Sequence, residues 1–97
     1  MSTTARSITL FPLGQIFLTI GAEKTLGESG QSPIEFLRRH QAGDWGDLSD
    51  DDKRENELSL KEDFRILSAY RTSAGVKLWV ITEKDRSATT VLLPCEY

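Results

Sequence analysis

The chain contains a single histidine, His40, which opens the stretch HQAGDWGD. Histidine titrates near neutral pH, so His40 oriented by the carboxylate of Asp44 could act as a general base. Arg86 lies in a second polar stretch, TEKDRSATT, and could stabilise a developing negative charge. Together these three residues suggest one hypothesis, a small nuclease-like or nucleotide-modifying enzyme of the toxin type.

The same residues also have a structural interpretation, which the sequence favours. A histidine near a helix C-terminus interacts favourably with the helix dipole, and Asp85 beside Ser87 is typical of a hairpin turn. The sequence has no second histidine, no P-loop, no dinucleotide-binding fingerprint and no Gly-x-Ser-x-Gly elbow. We therefore predict no catalytic residue and keep the enzyme built on His40, Asp44 and Arg86 as the alternative.

The aspartates between residues 47 and 52 are dense enough to suggest a cation site. A calcium loop of the EF-hand type, however, needs alternating ligands and a central glycine. Counted from Asp44, its third and fifth positions are Gly46 and Leu48, which supply no side-chain oxygen. With one histidine and one cysteine, the chain is also too poor in ligands for a zinc site. We predict neither a metal nor another cofactor.

The segment Gly43–Gly46, GDWG, has two glycines around an aspartate and a tryptophan. This pattern predicts a tight turn with positive φ at one or both ends, in which Asp44 binds backbone amides. Trp45 then anchors the loop in the core, or alternatively is an exposed docking residue. Asn56 is a poor helix former, and we expect its side chain to bond outside its own helix. Asn56 and His40 are predicted to tie the loop between two helices, with Asp44 and Asn56 bonded to main-chain groups of the loop or of the neighbouring helix.

Charge is unevenly distributed along the chain. Residues 44–63 include nine acidic and three basic residues, a net charge of −6 within a chain of net charge −3. Such an acidic surface suits a protein partner with a basic surface, whereas nucleic acid is not an expected partner because affinity for phosphates needs basic contacts. The candidate binding residues are Trp45, Asp47, Asp50, Asp51, Asp52 and Glu55.

The helices and strands that must position these residues can be recognised from hydrophobic periodicity and from capping and turn residues. Ser32 and Pro33 predict the start of a helix that Gly43 stops, and Ser49 predicts the cap of an acidic helix. A further short helix fits residues 21–30. Runs of β-branched and aromatic residues predict strands at 15–20, 64–72, 76–82 and 88–94.

These elements predict an α+β fold of one domain spanning residues 1–97, with residues 1–7 frayed. Short connectors at 73–75 and 83–87 require a three-stranded antiparallel meander at the C-terminus, which the strand at 15–20 joins. Two or three short helices should cover one face of the sheet.

The sequence predicts the orientation of four apolar side chains. Ile34 and Leu37 should face the core, and Leu58 should be the buried residue of the acidic helix. Phe64 should share one face of its strand with Ile66 and Tyr70. No apolar run reaches the ~18 residues of a membrane span, and Cys95 alone cannot form an intramolecular disulfide, which fits a reducing cytoplasm.

Several stretches together resemble a family of small uncharacterised bacterial proteins associated with plasmids and integrative elements, some labelled only "plasmid-related protein". The resemblance covers roughly residues 32–97 and rests on the pattern His-x-x-Gly-Asp-Trp-Gly, a later asparagine, and Trp-x-Ile-Thr-Glu-x-Asp-Arg-Ser. In this chain the pattern falls on His40, Gly43, Asp44, Trp45, Gly46, Asn56, Trp79, Thr82, Glu83, Asp85, Arg86 and Ser87. The resemblance implies a context, a bacterial cytoplasm and a mobile element, and assigns no functional residue.

From these observations we expect a non-enzymatic accessory protein of a mobile element that acts by binding another protein. An inhibitor of a host nuclease or defence complex is the specific form of this hypothesis, because a dense acidic surface can engage basic grooves made for nucleic acid. The oligomeric state does not follow from the sequence.

Overall fold

The computed structural model describes residues 9–97, and the prediction that residues 1–7 are frayed lies outside this range. The described chain forms four strands, three α-helices and a short 3-10 turn at Pro94–Glu96. In chain order these are β1 (Gln15–Leu18), α1 (Ile20–Ser29), α2 (Pro33–Gln41), α3 (Asp50–Glu62), β2 (Ile66–Arg71), β3 (Lys77–Thr82) and β4 (Ala88–Leu92). The predicted α+β class is confirmed.

The four strands form one mixed sheet in the order β1-β4-β3-β2. Strands β2, β3 and β4 make the predicted antiparallel meander. The N-terminal strand β1 joins it in parallel to β4, with Gln15 beside Ala88 and Leu18 beside Val91. The sheet is therefore not antiparallel throughout. The connection between these two parallel neighbours contains all three helices and the strands β2 and β3.

The helix signals in the sequence act as predicted. The Ser32 hydroxyl accepts a bond from the Ile34 amide at 3.2 Å, and the Ser49 hydroxyl accepts one from the Asp52 amide at 3.1 Å. Helix α2 ends at Gln41, and Gly43 follows with φ of 86°. The stretch that joins α2 to α3 therefore begins at the C-cap Ala42 and ends at the N-cap Ser49.

The main core lies between one face of the sheet and helices α1 and α2. The sheet supplies Tyr70, Leu78, Val80 and Val91, and the helices supply Ala22, Leu26, Phe36 and Leu37. The expectation for α2 was half right, because Leu37 is buried while Ile34 is 53% exposed. Phe36, placed on the flank by the periodicity, takes the core position and contacts Tyr70 with ring centroids 5.5 Å apart.

Helix α3 differs from the other two helices in its position and in what it buries. It lies along β2, the edge strand, and its buried residues are the polar Asn56 and Ser59. The prediction that Leu58 is buried was wrong, since Leu58 is 46% exposed. Phe64 is also exposed, because β2 begins only at Ile66 and Phe64 belongs to the turn that leaves α3.

A second, smaller core joins the loop after α2 to the sheet. Phe11, Trp45 and Ile66 are buried there, and Leu48 and Leu60 pack against them. Because these side chains come from four separate parts of the chain, this cluster holds the segment between α2 and α3 against β2. None of the helices between residues 9 and 97 has the length and apolar character needed to cross a bilayer.

Candidate functional site

The loop between α2 and α3 runs beside the edge strand β2 and pairs with it. The Asp47 amide donates to the Ala69 carbonyl at 2.6 Å, and the Ala69 amide donates to the Trp45 carbonyl at 3.1 Å. Gly46 and Ala69 form a parallel bridge. The loop predicted to join two helices therefore also extends the sheet by a short segment.

Both glycines of the loop have the predicted positive φ. The values are 86° at Gly43 and 76° at Gly46. At Gly46 a side chain has no space, because a Cβ atom would collide with the Ala69 carbonyl oxygen and the Tyr70 ring. Glycine at this position is thus required by the close approach of the loop backbone to β2.

Trp45 anchors the loop, as the structural interpretation predicted. The side chain is only 4% exposed, its ring lies 6.4 Å from that of Phe11, and its indole N–H donates to Glu57 at 2.8 Å. Its assignment as an exposed docking residue is therefore corrected, because almost none of its surface reaches solvent. A buried tryptophan with a satisfied N–H contributes to stability rather than to contact with a partner.

Asn56 bonds outside its helix, as predicted, but to a different partner. Its amide nitrogen donates to the Leu67 carbonyl at 2.7 Å, and its oxygen accepts from the Leu67 amide at 3.2 Å. The prediction that it holds the loop or the neighbouring helix was wrong; it binds the outward-facing backbone groups of β2. Together with the Trp45–Asp47 segment, Asn56 closes the outer edge of the sheet.

His40 is enclosed by hydroxyl groups of the sheet. It has no exposed surface, and its ring nitrogens lie 2.6 Å from the Ser68 hydroxyl and 2.9 Å from the Thr82 hydroxyl. The network continues from Thr82 to Thr89 and on to the Leu13 carbonyl, each at 2.7 Å. His40 therefore ties α2 to the sheet through its ring nitrogens. Its predicted link to the loop is an edge-on ring contact with Trp45, with centroids 6.0 Å apart, and not a side-chain hydrogen bond.

Burial sets the protonation state of His40. Desolvation, with a smaller contribution from the positive charge of Arg86, lowers the pKa of His40 to about 3. The imidazole is then neutral at pH 7, with one ring nitrogen donating and the other accepting. A neutral ring with both nitrogens already bonded to hydroxyls has no free position for a substrate proton.

The Asp44 carboxylate is bonded to groups other than His40. It accepts bonds from the Arg39 guanidinium at 2.7 Å and from the Gly46 amide at 3.2 Å. The bond from Arg39 is the main cause that lowers the pKa of Asp44. The predicted bond from Asp44 to the loop backbone is confirmed, and the Asp44 carbonyl also accepts a bond from the Tyr70 hydroxyl at 2.6 Å.

Arg86 closes the C-terminal end of α3. Its guanidinium donates to the Ser59 carbonyl at 2.8 Å and to the Phe64 carbonyl at 2.7 Å. Helix C-terminal carbonyls lack helical partners, so a cation at this place stabilises the helix end. The three residues of the enzyme hypothesis thus have separate hydrogen-bond partners, and no base–carboxylate pair forms between His40 and Asp44.

The acidic residues divide into paired and unpaired ones. Asp47 forms an ion pair with Arg71 at 3.4 Å, and Asp51 pairs with Arg54 within α3. Among the predicted binding residues, Asp50, Asp52 and Glu55 are exposed and form no ion pair within residues 9–97. Their charge is free to interact with a partner.

An open cleft of about 540 Å³ lies between α3 and the sheet. The α3 wall consists of Asp52, Glu55, Asn56 and Ser59, and Leu48 closes one end. The opposite wall consists of Leu67 on β2 and Trp79 on β3, with Phe64 and Arg65 at the turn between α3 and β2. The α3 side therefore carries two carboxylates, and the other side is apolar and aromatic apart from the guanidinium of Arg65.

Trp79, which lines the cleft, contacts a further aromatic side chain. Trp79 meets the ring of Tyr97 edge-on, with centroids 5.6 Å apart, and the Arg65 guanidinium lies 5.5 Å from the Tyr97 ring. Phe64 and Tyr97 are 53% and 64% exposed. Large exposed aromatic side chains beside a polar rim are typical of surfaces that bind other proteins.

Sequence reasoning placed Asp52 and Glu55 on the binding surface but missed the opposite wall. Phe64 was assigned to a strand face shared with Ile66 and Tyr70. Leu67 and Trp79 were not considered as binding residues. The alternation in β3, with Leu78 and Val80 on one face and Trp79 on the other, was the signal that could have found Trp79.

Within residues 9–97, no group of three or more His, Cys, Asp or Glu side chains is arranged to hold a metal ion. No protein-family model, no curated protein and no solved structure matches the chain.

Proposed function

We propose that this protein is a non-enzymatic accessory of a bacterial mobile element, which acts in the cytoplasm by binding a partner protein through the cleft beside α3. The observation that carries the proposal is the pairing of an acidic wall with an aromatic one. Asp52 and Glu55 lie across the cleft from Leu67 and Trp79. A segment that carries Lys or Arg together with apolar groups fits such a surface on both sides.

The charges beside the cleft favour a basic partner. Asp50, Asp52 and Glu55 are exposed and form no ion pair within residues 9–97. Unpaired surface charge raises the rate of encounter with an oppositely charged protein and discriminates against acidic ones. The long stems of Lys and Arg can meanwhile pack on Trp79, which offers an aromatic surface for a cation.

The size of the cleft agrees with a side chain or two rather than a whole domain. Ligand sites commonly measure ~300–1,000 Å³, and this cleft of about 540 Å³ lies open to solvent along α3. The remaining contact area must come from the exposed surface around it, including Phe64 and Tyr97. The partner therefore inserts a short basic segment and rests on the aromatic rim.

The most specific form of the proposal is inhibition of a host nuclease or defence complex. Such proteins contain basic grooves that bind phosphates, and an acidic helix competes for those grooves by charge. The resemblance to proteins of plasmids and integrative elements supports this partner class, since a mobile element gains from blocking host defence.

The alternative function, an enzyme that uses His40, Asp44 and Arg86, has weaker support. His40 is buried with both nitrogens bonded to hydroxyls, and the Asp44 carboxylate is bonded to Arg39. A general base must reach the proton it removes within ~3 Å or through one water. His40 could do so only if the core around it opened.

A capture experiment followed by measured affinities tests the proposal. The full chain, tagged and immobilised, is incubated with nuclease-treated bacterial lysate, and captured proteins are identified and purified. We expect Glu55→Lys to weaken binding of the purified partner by roughly tenfold or more, which is the loss of ~1.4 kcal/mol or more of binding free energy.

The matched control is Glu28→Lys, which makes the same charge change at an exposed glutamate of α1. Binding that survives Glu28→Lys and fails with Glu55→Lys supports the cleft. Equal weakening in both variants would mean that net charge alone drives association. Retention of RNA or DNA instead of protein, when the nuclease is omitted, would contradict the proposal.

A further inference from the structure

Within residues 9–97, the edge of the sheet at β1 is open, in contrast to the edge at β2, and this difference is independent of the proposed function. The Gln15 amide donates to the Ser87 carbonyl at 3.0 Å, and the Thr19 amide donates to the Val91 carbonyl at 3.1 Å. Because backbone groups alternate along a strand, those of Ile16 and Leu18 point away from β4. Within residues 9–97, no strand pairs with that side of β1.

The opposite edge has its backbone groups covered. On β2, the Leu67 amide and carbonyl are both bonded to Asn56, and Ala69 is bonded to the loop before α3. Folded proteins otherwise protect an edge strand with a lysine, a proline or a bulge. Strand β1 contains none of these devices, since its residues are Gln, Ile, Phe and Leu.

Beside the polar Gln15, two exposed side chains of β1 are apolar. Ile16 is 40% exposed and Phe17 is 49% exposed. In a chain in which 28% of residues are charged, an exposed strand without any charge offers no like-charge repulsion to a second strand. The edge is thus suited to an uncharged apolar strand as its occupant.

The sequence around Phe17 has a symmetry that identifies this occupant. Read in either direction from Phe17, the chain has an aliphatic residue and then a polar one, as Ile16 and Gln15 on one side and Leu18 and Thr19 on the other. We propose that two copies of this chain pair through their β1 strands, antiparallel and centred on Phe17, to form one continuous sheet of eight strands.

Each contact of this arrangement follows from the strand geometry. Ile16 of one copy and Leu18 of the other exchange N–H···O=C bonds, since these are the residues whose backbone groups point outward. Their side chains lie on the face that carries the core, while Phe17 of each copy meets its equivalent on the other face. Gln15 lies opposite Thr19, so polar residues face polar residues and apolar residues face apolar ones.

The oligomeric state of the full chain tests the proposal. We expect the mass from sedimentation or light scattering to rise with concentration from that of one chain to twice that value. Ile16→Pro removes an outward-pointing amide that makes no bond to β4, so it should leave a folded monomer. A circular dichroism melt of the same sample reports whether the fold is retained.

A second variant keeps the test decisive if Ile16→Pro fails to fold. Phe17→Lys places two like charges together at the two-fold axis and should give a monomer at low salt. Ile34→Lys is the matched control, because Ile34 is a similarly exposed aliphatic residue on α2, and this variant should still dimerise. A wild-type monomer at every concentration, or a dimer that persists in Phe17→Lys, would overturn the proposal.

Discussion

The segment from His40 to Asn56 has an inward and an outward side. The two sides contain similar residue types, but these residues have different roles. Inward, His40, Trp45 and Asn56 are buried and each has a hydrogen-bond partner in the fold. Outward, Asp52 and Glu55 border an open cleft, with no ion pair within residues 9–97.

This difference shows that the role of a polar residue depends on the group it contacts and not on its residue type. Asp44 and Asp52 are both acidic residues of one stretch. Asp44 binds Arg39 and the loop backbone, and it stabilises the turn. The Asp52 carboxylate faces the cleft instead. Changes on the inward side should therefore affect the free energy of unfolding, and changes on the outward side should affect binding.

The largest expected effect is that of Trp45→Ala. Removing this side chain empties the small core shared with Phe11 and Ile66, and large-to-small changes of this kind cost ~3–5 kcal/mol. That is a large share of the ~5–15 kcal/mol by which a domain is stable. Urea unfolding measures the loss.

Trp79→Ala is the control for this variant, because Trp79 is only half-buried at the cleft and should cost less. An unchanged unfolding midpoint in Trp45→Ala would break the comparison, since it would place Trp45 among the outward residues.

Acid should destabilise the protein through His40. In the unfolded chain His40 takes up a proton near pH 6.5, but in the folded protein its pKa is about 3. The unfolded state therefore binds more protons between these values, and the stability present above pH 6.5 is lost as the pH falls toward 3. At pH 5 the expected loss is ~2 kcal/mol, from ~1.4 kcal/mol per pH unit.

Unfolding free energies at pH 7.0, 6.0 and 5.0, measured for wild type and His40→Gln, check this expectation. The glutamine variant should be less stable at pH 7.0 but should lack most of the slope. If the unfolding free energies of the two proteins changed with pH in parallel, groups other than His40 would cause the loss of stability at low pH.

Asn56→Ala should have a smaller effect on stability. It leaves the Leu67 amide and carbonyl without their side-chain partner, which costs ~1–3 kcal/mol where such groups are shielded from water. Ser59→Ala is the control on the same helix, because the Ser59 hydroxyl bonds to the Glu55 carbonyl within α3 and not to β2. Alanine is a better helix former than asparagine. If Asn56→Ala were as stable as wild type, the bonds from Asn56 to Leu67 would contribute little to stability.

The smallest effect on stability is expected for Glu55→Lys. An exposed residue with no partner in the fold changes the unfolding free energy by less than ~0.5 kcal/mol. The same variant should weaken partner binding roughly tenfold. A thermal melt and a binding titration on one sample would therefore show unchanged stability together with reduced affinity. A substantial drop in the melting temperature would assign Glu55 to the inward side.

The sequence predicted the elements of this fold because their signals are local. Ser32 and Ser49 cap helices through bonds to amides a few residues away, and the β-branched runs place β2, β3 and β4. Gly43 and Gly46 predicted the turn for the same reason. Each of these features depends on neighbours in the chain and needs no knowledge of the rest of the fold.

The features that escaped prediction depend on distant partners. Ile34 and Phe36 could each have faced the core, and only the position of Tyr70 decides for Phe36. Asn56 finds its partner at Leu67, across the turn from α3 to β2. The cleft was missed because its second wall, Leu67 and Trp79, comes into place only when the sheet edge meets α3.

The parallel pairing of β1 with β4 has a consequence for the time course of synthesis. Thr19 and Val91, joined by a hydrogen bond at this junction, are 72 residues apart in the chain. A ribosome adds ~5–20 residues per second, so β1 waits roughly 4–14 seconds for its partner strand to be made. Throughout that interval the apolar strand has two free edges, and a chaperone that holds Ile16 and Phe17 would prevent the nascent chains on one polysome from associating.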